Sequence, residues 1–252
     1  MQIGANTPAI VTGAASGLGR AVTMRLRALD VPVTIFDRAA EGAQVASELG
    51  ANFVEVDVTQ THAVADALAQ ARAAQGQERI CVNCAGIAPA ARTVGRDGAH
   101  DAVLFQQVIN VNLVGSFNVA SQSAAGMVAL TSDDPCVGVI INTASIAAYE
   151  GQIGQAAYAA SKGGIIGMTL PMARDLASAR IRVAAIAPGI FGTPMVKGLP
   201  QDVQDALAAG IPNPSRLGAP EEFASLVAHI IDNDFLNGEV VRLDGATRLT
   251  PR

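Results

Sequence analysis

Thr12-Gly13-Ala14-Ala15-Ser16-Gly17-Leu18-Gly19 decides the fold. A short apolar run at 9–12 leads into this segment and a helix-period stretch at 17–29 leaves it, so it reads as the first turn of a β-α-β unit. Glycines at 13, 17 and 19 let the chain turn sharply and let backbone N–H groups approach an anion. The helix that follows turns its positive end toward the same point. The spacing is T-G-x-x-x-G-x-G, not G-x-G-x-x-G, and a glycine-rich turn can also be purely geometric. The strand before and the helix after are what point to a dinucleotide.

Outward from that turn, apolar runs at 31–36, 52–56, 80–83, 137–143, 181–187 and 239–243 predict six more strands. Most are continuous and not alternating, as in strands covered on both faces. Helical segments at 40–49, 61–74, 101–130, 156–178 and 220–232 lie between them. Such alternation predicts an α/β fold: a doubly wound (Rossmann) parallel sheet of about seven strands with helices on both faces. No repeat, low-complexity tract or linker divides the chain, so residues 1–252 read as one dinucleotide-binding and catalytic domain. The rhythm breaks at 188–220, where six prolines flank a short helical piece near 200–209. A loop this long inside a domain reads as a substrate loop, walled by Ile190, Phe191, Met195, Val196, Leu199 and Leu207, with an irregular crossover as the alternative.

Composition narrows the function. The 252 residues are 50% hydrophobic and 15% charged, with a formal net charge of −5, which excludes a disordered chain and gives no footprint for nucleic acid or an anionic membrane. Residues 102–132 lack charge but carry Gln106, Gln107, Asn110, Asn112, Asn118, Gln122 and Ser123, too polar for a membrane span. Cys81, Cys84 and Cys136 form no disulfide framework, and the first strand begins too early for a leader, so a cytoplasmic location is expected. Cys81 and Cys84 make a C-x-x-C, yet in a strand they point to opposite faces and no second pair completes a zinc site; no metal is expected.

Strand ends carry the chemistry, because ligands sit at the carboxyl edge of a parallel sheet. Asp37, just past strand two, can accept both ribose hydroxyls and repel a 2′-phosphate, which selects NAD; Arg38 beside it leaves NADP as the alternative. Asp57 can take an adenine amino group, and Asn83-Cys84-Ala85-Gly86 is small enough to let backbone pass a ribose. Ser145 follows strand five, and Tyr158 and Lys162, four apart, share one face of the helix that opens near Gln155. A phenol with a pKa near 10 is a weak base at neutral pH; an adjacent ammonium together with a positive nicotinamide ring is expected to lower it, so that Tyr158 exchanges a proton with a substrate hydroxyl during hydride transfer. Ser145 would hold the same oxygen, with Gln155 as a further substrate contact, and Lys162 would grip the nicotinamide ribose. Asn112 would hold a water linking Lys162 to solvent, or else simply pack in the core. After strand six, Pro188-Gly189 and the Thr193 hydroxyl can fix a carboxamide.

Taken together, Thr12–Gly19, Asp57, Asn83–Gly86, Asn112, Ser145, Tyr158, Lys162, Pro188-Gly189 and Thr193 resemble the short-chain dehydrogenase/reductase family over nearly the whole chain. A narrower likeness runs through Ile140–Ser145, Glu150-Gly151-Gln152, Gly154–Tyr158, Gly167–Pro171, Pro214–Gly218, Phe235–Val240 and Arg242–Ala246. It is to the type-2 short-chain 3-hydroxyacyl-CoA dehydrogenases, the 17β-hydroxysteroid dehydrogenase type 10 group. That resemblance implies NAD, a homotetramer, and oxidation of 3-hydroxyacyl-CoA, 2-methyl-branched acyl-CoA or hydroxysteroid substrates. It places Ser16, Leu18, Asp37, Asp57, Val58, Cys84, Tyr158, Lys162, Phe191 and Thr193 on NAD and Ser145 on substrate. Asn213 departs from the aromatic residue expected between Pro212 and Pro214. Two rivals stand beside this reading: a 3-oxoacyl-carrier-protein reductase, which would call for NADP and a basic docking patch, and a non-catalytic NAD-binding scaffold subunit, which an intact Ser145, Tyr158 and Lys162 argue against.

Overall fold

The computed structural model describes residues 1–96 and 98–251, apart from the side chain of Met195, so that predicted wall residue lies outside the described set. The seven predicted strands all form: β1 Ala9–Thr12, β2 Val33–Asp37, β3 Asn52–Glu55, β4 Ile80–Asn83, β5 Gly138–Thr143, β6 Ile181–Pro188 and β7 Val240–Leu243. They pair parallel throughout in the order β3-β2-β1-β4-β5-β6-β7. Chain direction across the sheet therefore reverses between β1 and β4, and a crevice opens there at the carboxyl edge. β2 begins at Val33 and not at 31, because Pro32 has no N–H to give the ladder; its carbonyl accepts from Ala9 N instead (2.8 Å).

Helices α1 (Gly17–Arg27), α2 (Gly42–Leu49), α3 (Thr61–Gln75), α4 (Ala102–Ile109), α5 (Gly115–Val128), α6 (Ala156–Asp175), α7 (Pro194–Lys197), α8 (Gln201–Ala209) and α9 (Pro220–Asp232) surround the sheet. One core packs Val22 and Leu26 of α1 and Phe223, Val227 and Ile230 of α9 on one face of the sheet. The other packs Val64 and Leu68 of α3, Val119 and Met127 of α5 and Met172 of α6 on the opposite face. The single helix expected over 101–130 is interrupted: a π-turn at Asn110–Val114 separates α4 from α5. By length and composition the stretch Ala102–Val128 could cross a membrane, but its inner face, including Val108, Asn112 and Val119, is buried against the sheet. A two-residue hairpin, Val94–Gly95 with Gly98–Ala99, was not legible in the sequence.

The last helix is held by a buried cation. Arg182 of β6 is 5% exposed and donates to the carbonyls of Ile230 (2.8 Å), Ile231 (2.7 Å) and Leu236 (2.9 Å). These include orphan carbonyls at the C-terminus of α9, where a positive charge also meets the negative end of the helix dipole. Arg182→Met is therefore expected to lower unfolding free energy by about 2–4 kcal/mol. Urea denaturation reads this; Arg182 lies at the start of β6, so the carboxyl end of the strand should be left undisturbed.

Candidate active site

A cleft of about 550 Å³ opens along the carboxyl edge of the sheet. It is lined by the predicted Gly13, Ser16, Gly17, Leu18, Gly19, Asp37, Asp57, Val58, Cys84, Gly86, Ser145, Gln155, Tyr158, Lys162, Pro188, Phe191 and Thr193. Asn83 and Asn112 do not line it; both are buried just behind.

At the dinucleotide end, geometry requires the glycines. Gly13 has φ +64°, and a Cβ there would fall 2.7 Å from the Ala85 backbone. A Cβ on Gly19 would lie 2.5 Å from the Gly13 carbonyl oxygen. The first turn of α1 carries no acidic residue, and Ser16 at its N-cap makes no capping hydrogen bond, so the first N–H groups of the helix are left for a ligand. Asp37 is fixed by two backbone donors, Ala15 N (2.9 Å) and Ala39 N (3.0 Å). Asp57 accepts from both the N–H and the hydroxyl of Thr59 (2.9 and 2.8 Å). Asn83 binds the sheet together under the crevice, donating to Asn142 Oδ1 at 2.9 Å. The ring of Phe191 is turned into the core, edge-on to Phe223 and over Gly218. The positions predicted for anion, ribose and adenine all border the cleft, and their donors and acceptors fit a nicotinamide dinucleotide.

At the reacting end, Ser145 caps a 3₁₀ turn (Ile146–Ala148), its Oγ accepting from Ala147 N at 3.1 Å, and its hydroxyl is close enough to the Tyr158 phenol to favour the phenolate. Lys162, 4% exposed, donates to the Thr143 carbonyl (2.7 Å), and its Nζ lies 5.8 Å from the Tyr158 ring centre. The expected lowering of the phenol does not come from the chain's own groups. Burial pushes Tyr158 up from the usual phenol value and the Ser145 bond opposes it only in part, while burial draws Lys162 down from 10.5 to about 8. In both groups the loss of water penalises the charged form. Asn112 sits in the π-turn with its amide engaged: Nδ2 donates to the Ile87 carbonyl (2.9 Å) and Ser161 Oγ (3.0 Å), and Oδ1 accepts from Ile87 N (2.8 Å). Among the described residues no cluster of His, Cys, Asp or Glu could hold a metal.

Several wall residues were missed, among them Ile87, Gln107, Val111 and Leu249. Gln107 and Val111 stand four apart where α4 runs into the π-turn, a spacing that could have marked them. Leu249 carries no local signal; tertiary contacts described below bring it in.

A short chain dehydrogenase family model matches residues 7–204. The chain is 52% identical over 249 residues to a Bos taurus protein named 3-hydroxyacyl-CoA dehydrogenase type-2, covering 96% of this chain and 95% of that one. It is 50% identical to the Drosophila melanogaster protein of the same name, covering 98% and 99%. A crystal structure titled 3-hydroxyacyl-CoA dehydrogenase type-2 from Mycobacterium avium superposes with a TM-score of 0.93 at 45% identity, covering 98% of this chain and 97% of that one.

The depressed Lys162 gives a stability signature. Between pH 8 and 10.5 the unfolded chain still holds the lysine proton and the folded chain has shed it, so this residue's contribution to stability rises with pH across that window. Lys162→Met removes the rise. The variant is expected to gain on wild type at pH 7 and to lose that advantage by pH 10 in urea denaturation; a gap independent of pH would contradict a buried, depressed amine.

Proposed function

The chain belongs to the short-chain dehydrogenase family, and from that premise we propose that this oxidoreductase uses NAD to interconvert 3-hydroxyacyl-CoA and 3-oxoacyl-CoA. The observation that carries the reading is the convergence of Ser145, Tyr158 and Lys162 at one end of a cleft whose other end is built for a dinucleotide. Relatives about half identical over nearly their full length, named for 3-hydroxyacyl-CoA, support the substrate class. Asp37 supports NAD: its carboxylate is held at the end of β2 by Ala15 N, where a ribose 2′-phosphate would meet like charge.

A bound nicotinamide would supply or accept the hydride and, when oxidised, add a positive charge beside the phenol. Tyr158 Oη takes the substrate hydroxyl proton in oxidation and returns it in reduction. Because burial raises this phenol, the protonated form predominates at neutral pH and suits reduction, while oxidation gains as pH rises. Ser145 Oγ shares the same oxygen and holds it at Tyr158. Lys162 grips the nicotinamide ribose. Asn112 and Lys162 are neighbours across Gly86: a Cβ there would stand 3.2 Å from Asn112 Oδ1 and 3.6 Å from Lys162 Nζ, so a water held beside them would carry a proton beyond Lys162.

In the assembly, further copies of the chain cover the apolar surface of α4 to α6, where Val103, Val114, Phe117 and Leu170 are exposed, as in a homotetramer. Three free thiols suit a cytoplasmic setting.

Purified protein should reduce acetoacetyl-CoA with NADH in preference to NADPH, and in preference to the same acyl group on a carrier protein. An NADPH preference would overturn the Asp37 argument, and no turnover of the thioester would overturn the substrate. Tyr158→Phe is expected to cut kcat by about 10²–10⁴-fold with the Kd for NADH nearly unchanged. Gly86→Ala, which crowds Asn112 Oδ1 and Lys162 Nζ, is expected to lower kcat more than it weakens NADH binding.

A further inference from the structure

One ion-paired cluster outside the catalytic set shapes the same cleft. Arg242, on β7 at the sheet's edge, donates to both carboxylate oxygens of Glu150 (2.9 and 3.1 Å), to Asp244 Oδ2 (2.8 Å) and to the Thr247 carbonyl (3.1 Å). Its guanidinium also lies over the Tyr149 ring, 5.0 Å from the centre. Glu150 in turn accepts from the Leu249 N–H (3.3 Å) and pairs with Arg248 (3.5 Å). Two backbone ties follow: Gln152 Nε2 to the Thr250 carbonyl (3.0 Å) and Ile153 N to the Pro251 carbonyl (3.1 Å). The loop between the two catalytic residues Ser145 and Tyr158 is thereby stitched to the segment after β7.

That segment is part of the cleft wall. Leu249 lines the cleft together with Gln152 and Gln155. At its start, Asp244 is packed so closely on Gly189 of the cleft floor that a Cβ there would fall 2.8 Å from the Asp244 Cα. Further along, the Gly245 carbonyl accepts from Asn213 N (3.3 Å), joining the segment to the substrate loop at the position where an aromatic was expected. A single guanidinium with a bidentate carboxylate partner thus fixes the outer wall relative to Ser145. Arginine suits this task because its planar fork holds direction as well as charge.

We propose that Arg242 and Glu150 form a clamp that sets substrate specificity: by seating Leu249 on the cleft, they select for the apolar chain carried beyond the reacting carbon. Neither Arg242 nor Glu150 lines the cleft, so both are positioning residues and Leu249 is the contact they place. A charged pair also resists pH, since Arg242 holds the Glu150 carboxyl below the usual carboxylate range. The inference rests on the acyl-thioester reading of the site.

The test is a chain-length series of 3-oxoacyl-CoA substrates, from four to ten carbons, run with NADH on wild type, Leu249→Ala, Glu150→Gln and Arg242→Met. Leu249→Ala is expected to raise KM for the longer substrates about tenfold relative to the four-carbon one, with kcat and the Kd for NADH within twofold of wild type. Glu150→Gln should move the same ratio in the same direction with the Leu249 side chain unchanged. If Arg242→Met does not fold, these two variants decide alone. An unchanged ratio of long- to short-chain KM in both, or an equal rise for every length that merely follows a loss of thermal stability, would overturn the clamp. Failure of the wild type to turn over any of the thioesters would instead overturn the substrate assignment on which it stands.

Discussion

The site depends on one close approach, that of the glycine turn to the exit of β4. Gly13 and Ala85 lie so near that no side chain fits between them, and Thr12 Oγ closes the gap by accepting from both Cys84 N and Ala85 N (3.1 Å each). These two segments flank the point where strand order reverses. Were they held apart, the crevice would widen and the first turn of α1 would lose its aim. The contact satisfies two backbone donors that leave the sheet with no ladder partner, so it secures the fold and shapes the site through the same bonds.

Burial at the reacting end acts in two directions. Placing Lys162 and Tyr158 out of water raises the phenol and lowers the amine, a cost in the free chain. The same exclusion of water strengthens any charge that forms there in the reaction, because local fields are less screened. Lys162 is not left without a partner, since the Thr143 carbonyl at the end of β5 receives it. That carbonyl is two residues before Ser145, so one strand end orients both the cation and the serine.

The seven strands and the reacting trio were legible because they rest on local pattern: continuous apolar runs, a glycine turn, and a tyrosine and lysine one helical turn apart. The π-turn at Asn110–Val114 was not, since widening a helix by one residue leaves the hydrophobic period almost unchanged. It does explain Asn112, whose polar amide in an apolar stretch is spent on both backbone groups of Ile87. In the free chain burial sets the direction of the Tyr158 shift, and this was not legible: sequence shows which charges are neighbours along a helix, but not how much water each has lost. Leu249 shows the same limit, since its place in the wall depends on Glu150, 99 residues away in the chain.

These limits follow a common geography. The centre of the sheet is covered on both faces, so composition and period nearly determine it. Its last strand is different: β7 is an edge, only half-buried, and the segment beyond it has no strand to pair with. Such a segment can be placed only by side chains, and here a buried Thr247 and the Arg242 hub do so. Side-chain placement is also easier to alter by substitution than a ladder of backbone hydrogen bonds. A family that keeps one proton-transfer apparatus while accepting different substrates would be expected to vary at this edge, where walls are pinned by a few replaceable ions, and to leave the central strands alone.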